Sequence, residues 1–327
     1  MTFYFAGQGQ DEMKNRMRFG FGRTVLFLAA FIVFAGCSTK GNKAVQSSVI
    51  SDSTGASAFF TGRVSYLGPE GTYTQEAAQK FFGDDVDFQA KKTVSEAVLA
   101  LSDGRCDFAV IPVENTIGGP VYDYLDELLK YEKLCVQGEV ELPIRQALLA
   151  PEGTSLSDIK TVYSHKQGII QGKDWLEKNV PDAQVVEVSS TAKGAEIVSK
   201  NGGKNCAAIA SAAAAGVYGL TVLHENIQQN EDNKTRFYVL SSKNPFTERS
   251  QRMLFIAEGS AQSLPELTAA LSKNRLILVS IHARPSKTTL GRYKYIVECE
   301  NAGYEEFRRI SAADGFTFRY AGSFCVK

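Results

Sequence analysis

The order of apolar runs predicts an α/β protein followed by a smaller α+β unit, and three observations carry that prediction. Between residues 63 and 241, short β-prone runs alternate with segments whose apolar residues recur at helical spacing. Ser, Thr, Asn or Gly follows strand after strand where a helix begins, which is the punctuation of strand-to-helix turns. Beyond the composition break at Ser241-Ser242-Lys243-Asn244-Pro245, the order changes to strand, helix, strand, strand, helix, strand.

Composition narrows the function classes. With 327 residues, 44% of them hydrophobic, the chain can bury a large core and hold two or three domains. Basic and acidic residues balance at 36 each, so no overall basic field exists to hold nucleic acid, and an anionic ligand must be met locally. The six cysteines include no C-x-x-C pair, and the three histidines lie far apart. Neither a disulfide framework, a metal site nor a Ser-His-Asp triad is indicated, and the chain is expected to work without a cofactor.

Residues 1–62 read as a leader and tether. A basic stretch from Met13 to Arg23, a short apolar run from Thr24 to Phe34, and Ala35-Gly36 before Cys37 make a secretory signal too short to span a bilayer comfortably. This resembles a bacterial lipoprotein signal, which implies lipidation at Cys37 and a membrane-anchored protein on the periplasmic or cell-surface side. If the leader is not used, the chain stays in the cytoplasm. Residues 38–62, rich in Ser, Gly, Thr, Ala and Lys, suit a flexible tether.

The first lobe opens with Arg63-Val64-Ser65-Tyr66-Leu67, a strand, and a Gly68-Pro69-Glu70-Gly71-Thr72 turn. Tyr73, Ala77, Ala78 and Phe81 then share a helical face that Gly83 ends. Two glycines are too few for a phosphate-binding loop, so the turn is expected to be a tight strand-to-helix connection beside a ligand. Thr93-x-x-Glu96 is a capping box before the stripe Val94, Ala97, Val98, Leu101. Phe108-Ala109-Val110-Ile111 is apolar throughout, as a strand covered on both faces requires. It leads to Glu114-Asn115-Thr116, and Gly118-Gly119 is expected to open a helix with Val121, Leu125, Leu128 and Leu129 inward. A carboxylate, an amide and a hydroxyl at the carboxyl end of a buried strand are where open α/β sheets take ligands.

Residues 134–149 supply strands that carry the chain to a second lobe. There Thr161-Val162-Tyr163 leads to Ser164-His165-Lys166-Gln167, in which Ser164 and Gln167 form an S-x-x-Q box and Gln171 lies one helical turn beyond Gln167. Residues 185–188 lead to Ser190-Thr191, and residues 207–210 to Ser211. Each Ser or Thr taken alone is a helix cap. Together the junctions predict a cleft whose helix N-termini hold a small polyanion without a basic patch.

Asn233-Lys234-Thr235-Arg236-Phe237-Tyr238-Val239 closes this region. Strand geometry sends Thr235 and Arg236 to opposite faces, so one of them enters the cleft while the other braces it. Past the break, strands at 253–257, 277–283, 293–299 and 316–320 and helices at 264–271 and 304–310 give a ferredoxin-like split βαβ order.

The motifs Tyr66-Leu67-Gly68-Pro69-Glu70-Gly71-Thr72-Tyr73, Ile111-Pro112-Val113-Glu114-Asn115, Leu142-Pro143-Ile144, Val162-Tyr163-Ser164-His165, Ala208-Ile209-Ala210-Ser211 and Thr235-Arg236-Phe237 resemble, in order and spacing, the prephenate dehydratase (arogenate/prephenate dehydratase) family with a C-terminal ACT domain. The resemblance implies a bilobal, type II periplasmic-binding-protein-like catalytic domain over 63–244, a ferredoxin-like ACT regulatory domain over 252–327, and conversion of prephenate to phenylpyruvate in phenylalanine biosynthesis, with arogenate as the other substrate. Thr235 falls on the family's essential threonine, and Glu114, Asn115, Ser164, Gln167 and Gln171 on its polar cleft positions. Thr116, Gly119, Thr191, Ser211 and Phe237 complete the expected substrate site. Arg236 is expected to pair with a substrate carboxylate, a bridge to Glu114 being its alternative.

An ACT domain implies a homodimer or homotetramer and phenylalanine as effector, with Leu264, Arg284 and Pro285 as the regulatory positions. Here Ile281-His282-Ala283-Arg284-Pro285 keeps only Arg-Pro of the usual Glu-Ser-Arg-Pro, and Ser260-Ala261-Gln262-Ser263-Leu264-Pro265 replaces the usual Gly-Ala-Leu helix start. A feeble phenylalanine response follows. A second reading of the same fold behind a lipoprotein leader is a membrane-tethered receptor that captures an aromatic or dicarboxylic acid without catalysis.

Overall fold

The computed structural model describes residues 62–243 and 250–327, which belong to one compact unit, Ser57–Lys327. The expected lipidation site Cys37, its leader and tether, and residues 244–249 of the linker lie outside the described residues.

The first lobe runs β1 (Arg63–Leu67), α1 (Tyr73–Phe82), β2 (Asp87–Lys91), α2 (Val94–Ser102), β3 (Phe108–Asn115), β4 (Gly119–Pro120), α3 (Tyr122–Lys130) and β5 (Cys135–Pro143). The second runs β6 (Ala147–Ala150), β7 (Thr161–Ser164), α4 (Lys166–Asn179), β8 (Gln184–Glu187), α5 (Thr191–Asn201), β9 (Cys206–Ala210), α6 (Ala213–Tyr218) and β10 (Thr221–His224). The chain then returns through β11 (Lys234–Ser241), which inserts antiparallel between β3 and β5. In the second lobe the order is β10-β6-β9-β7-β8.

Beyond the linker come β12 (Ser250–Ser260), α7 (Leu264–Lys273), β13 (Ile277–Pro285), β14 (Arg292–Ala302), α8 (Tyr304–Ile310) and β15 (Phe316–Val326). Their order β13-β14-β12-β15 continues into β5-β11-β3-β1-β2, so the C-terminal strands and the first lobe share one sheet. The join is β15, expected to end near Tyr320 but extended to Val326, where Cys325 and Val326 pair in parallel with Gly138 and Glu139. A bulge opposite Leu254 and Phe255 turns the strand, and Gly322, at φ +129°, lies so close to the Val136 carbonyl that a Cβ would collide with it.

Alternation along the strands decides what packs where. In β12, Met253, Phe255 and Ala257 face α7 and α8, whereas Leu254 and Ile256 join Tyr238 and Leu240 of β11, Ile111 of β3 and the inner faces of α2 and α3. One core thus ties the C-terminal sheet to the back of the first lobe. On the other side of β11, Phe237 and Val239 pack with Tyr66, Val110, Val140 and α1.

Two local expectations are corrected. Gly119 and Pro120 do not open a helix but pair with Asn115 and Glu114, and α3 starts at Tyr122. Ser164 does not cap α4: the cap is His165, whose Nδ1 accepts from the Gln167 N–H at 3.3 Å, while the buried Ser164 hydroxyl donates to the Ile209 carbonyl at 2.7 Å. As the last residue of β7, Ser164 points toward β9 rather than along the helix start.

Candidate active site

A cavity of about 400 Å³ lies between the lobes, lined from the first by Leu67, Thr72, Tyr73, Pro112, Asn115, Gly119, Thr235 and Phe237 and from the second by His165, Gln167, Gln171, Ser190 and Thr191. It forms because β1 and β3, parallel neighbours, end on the side where α4 and α5 of the opposite lobe begin. Ser190 caps α5 by accepting the Lys193 N–H at 3.0 Å, and Thr72 caps α1 through the Gln75 N–H at 3.4 Å. Three helix N-termini therefore face one space, each with backbone N–H groups not used within its helix.

Thr235 sits where β11 emerges beside β3, directly opposite Asn115. The Asn115 side chain is fixed at both ends. Its Oδ1 accepts from the backbone N–H groups of Ile117 and Gly118, each at 3.0 Å, which leaves Nδ2 as the end that faces Thr235. That nitrogen lies 3.0 Å from the Thr235 hydroxyl, 3.0 Å from the Lys234 carbonyl and 2.7 Å from Asn233 Oδ1. The hydroxyl oxygen consequently receives a hydrogen bond, and its own hydrogen is available to the cleft.

Across the space, Gln146 Nε2 donates to Gln171 Oε1 at 2.9 Å, and the Gln146 backbone N–H donates to Gln228 Oε1 at 2.9 Å. Gln146, which lines the cavity, is 2% exposed, and its Oε1 is a buried acceptor without a partner. Leu67, Pro112, Val121, Ile144 and Phe237 form the apolar part of the lining. A wider cavity of about 750 Å³ adjoins this one through Leu67, Thr72, Thr74, Tyr124, Ser189 and Ser190, and carries Lys91, Lys92 and Lys193.

Sequence and structure are both shared with known proteins. Residues 64–245 match the family described as prephenate dehydratase. The bifunctional chorismate mutase/prephenate dehydratase of Aquifex aeolicus is 36% identical over 253 residues, covering 77% of this chain and 68% of that one. The prephenate dehydratase of Bacillus subtilis is 31% identical over 253 residues, covering 73% of this chain and 89% of that one. The chain belongs to the prephenate dehydratase family. Its fold matches that of an Arthrobacter aurescens prephenate dehydratase solved with L-Phe, at a TM-score of 0.72 and 28% identity over 80% of this chain and 90% of that one. The chain spans about two thirds of the bifunctional relatives' length, 68% for A. aeolicus and 66% for Pseudomonas aeruginosa.

Of the residues expected at the site of a prephenate dehydratase family member, the structure brings Asn115, Gly119, Gln167, Gln171, Thr191, Thr235 and Phe237 to the cleft. Arg236 is not there. Strand alternation turns its guanidinium to the opposite face, where it forks onto Glu139 at 2.9 and 2.6 Å, meets Glu114 at 2.8 Å and reaches Glu298 of β14 at 2.8 Å. Glu114 leaves the expected site with it. Thr116 is exposed and braces the loop, its hydroxyl accepting the Lys234 N–H at 3.0 Å. Ser164 is spent on Ile209, and the buried Ser211 hydroxyl donates to the Gly71 carbonyl at 3.5 Å. Thr72, Tyr73, Gln146 and His165 also line the cleft, beyond the residues expected at the site. For Gln146 the signal is a lone amide before Ala147-Leu148-Leu149-Ala150, a polar side chain entering a wholly buried strand.

Outside the cleft, Arg284 forks onto Asp126 of α3 at 2.6 and 2.8 Å and lies 4.9 Å over the Tyr122 ring. Leu264 packs beside the C-terminal core at the start of α7, and Pro285 ends β13.

Proposed function

We propose that the chain converts prephenate to phenylpyruvate, with CO2 and water released, as a carbon–oxygen lyase of phenylalanine biosynthesis; arogenate, with an ammonium group for the side-chain keto oxygen, can undergo the same chemistry. The bond from the ring to its carboxylate breaks, its electron pair enters the ring, and the ring hydroxyl leaves as water after taking up one proton. Aromatisation drives the reaction. The protein must supply that proton, grip the rest of the substrate and solvate the departing carboxylate weakly.

The Asn115–Thr235 contact carries this reading. A threonine is a poor acid alone, but a donor already on its oxygen stabilises the charge that develops as its hydrogen moves to the leaving hydroxyl. Thr235 regains a proton from solvent. Gln167 and Gln171, with the N–H groups at the starts of α4 and α5, would hold the side-chain carboxylate, and Thr191 stands beside them. The apolar lining around Phe237 is where a carboxylate is poorly solvated. Phenylpyruvate formation from prephenate, absent in Thr235→Ala, tests the assignment.

The two lobes joined by crossings at both β5–β6 and β10–β11 support a type II solute-binding arrangement for the catalytic region. The β13-β14-β12-β15 order supports an ACT module over 252–327 that pairs subunits into a homodimer or homotetramer. With the Arg284 guanidinium committed to Asp126, that module should respond feebly to phenylalanine, read as inhibition only at millimolar effector. The basic, apolar and Cys37-terminated leader supports lipidation and membrane anchorage on the periplasmic or cell-surface side; Cys37→Ser should then release the protein from the membrane fraction.

A further inference from the structure

Glu298 belongs to β14 of the C-terminal unit, yet its carboxylate is 0% exposed and meets β11 immediately behind Thr235. Arg236 Nη2 lies 2.8 Å from each of its oxygens, the Tyr238 hydroxyl donates to it at 3.0 Å, and Arg252 pairs with it at 3.3 Å. Burying a carboxylate this fully is costly unless it is paired and hydrogen-bonded, and such clusters add little net stability while they select one geometry. We propose that Glu298 is a positioning residue that sets the Thr235 hydroxyl through Arg236, an inference that rests on the role proposed for Thr235.

The local backbone gives the device something to correct. Thr235 pairs with Asn115 and Arg236 with Glu114, but Phe237 pairs with Pro112, so Val113 forms a bulge opposite the Arg236–Phe237 peptide, one residue past the threonine that carries the hydroxyl. A bulge removes ladder hydrogen bonds and lets a strand turn about its axis, which would swing Thr235 off Asn115. Arg236, on the opposite face, resists that turn through Glu139 of the neighbouring strand and Glu298 of the C-terminal unit. The same unit holds the other wall. Arg284 grips Asp126 within α3, and Arg319 donates to the carbonyls of Leu128, Glu132 and Leu134 at and beyond the end of that helix, which supplies Tyr124 to the cleft.

Glu298→Gln tests this in the full chain. The cluster holds four carboxylates (Glu114, Glu139, Glu298, Glu300) against Arg236 and Arg252, so loss of one charge leaves both guanidinia paired and the fold intact. The expected result is a kcat about 10-fold lower with KM within about 3-fold and an unchanged melting temperature. Glu300→Gln, at the rim of the cluster, should alter neither. Independently of turnover, the Thr235 methyl signal in threonine-labelled protein should shift and gain mobility in Glu298→Gln, with that of Thr191 unmoved. An unaltered Thr235 methyl in a folded Glu298→Gln protein overturns the proposal, and so does a fall in kcat that only tracks lost folded protein. An inactive wild type whose Thr235 methyl still answers to Glu298→Gln would instead refute the prephenate reading and leave the coupling standing.

Discussion

Asn115 donates to the Thr235 hydroxyl at 3.0 Å because its own oxygen is already held by the N–H groups of Ile117 and Gly118. Asn115→Asp keeps the two accepting contacts but has nothing to donate. Asn233, whose Nδ2 is unpartnered, can turn its amide to meet the new carboxylate, so the fold should survive. Turnover should fall by about 100-fold, with KM far less affected, because the lost hydrogen bond matters when charge develops on Thr235. Steady-state kinetics separate the two constants; a raised KM with full kcat would make Asn115 a binding residue only.

Gln167 plays the complementary part. It lies at the mouth of the cleft, near Gly118 of the other lobe, where a Cβ would come within 3.3 Å of its Nε2. Gln167→Ala should weaken substrate capture by about 1–3 kcal/mol, the cost of leaving a buried substrate group unpaired, and should leave kcat within a few fold. The measurement is KM for prephenate.

For Arg236, removal should act on the fold before it acts on substrate. Arg236→Ala strands Glu139 and Glu298, both 0% exposed, without their main cation. Burial already pushes the Glu139 carboxyl upward, against the downward pull of Arg236. A loss of about 3–5 kcal/mol in unfolding free energy is expected, measured by denaturant titration. A stable variant altered only in KM would restore Arg236 to the cleft.

These residues also show what the chain discloses before it is folded. Alternation along β11 is local, so the opposite placement of Thr235 and Arg236 is legible from the tripeptide, as are most strands and helices and the split βαβ order. The partner that claims Arg236 is not: Glu298 lies on β14, 62 residues further along the chain, and a long-range ion pair leaves no mark on either neighbourhood. The same holds for Ser164, where adjacent Ser and His are both competent caps and only the position of the Ile209 carbonyl selects between them. The extension of β15 onto β5 depends on Gly322 meeting Val136, a contact that periodicity cannot register.

The Asp126–Arg284 pair fixes a pH dependence. Its hydrogen bond to Arg284 holds the Asp126 carboxyl below the ordinary carboxylate range, partly offset by burial. A depressed folded pKa means that the native state favours the ionised form, so the contribution is fully present above the unfolded value and disappears as pH falls through the folded one. Asp126→Asn should therefore cost about 1 kcal/mol at pH 7, and the gap to wild type should close at pH values below the carboxylate range. Thermal unfolding of both proteins across that range checks the sign.

The most direct test is phenylpyruvate formation by the purified full chain supplied with prephenate, beside Thr235→Ala at equal concentration. The structure's reading requires turnover by the wild type, with release of CO2, and a loss of about 100-fold or more in kcat for the variant while prephenate still binds within a few fold. Binding of prephenate by the wild type without phenylpyruvate at any protein concentration would contradict it and leave a receptor in place of an enzyme.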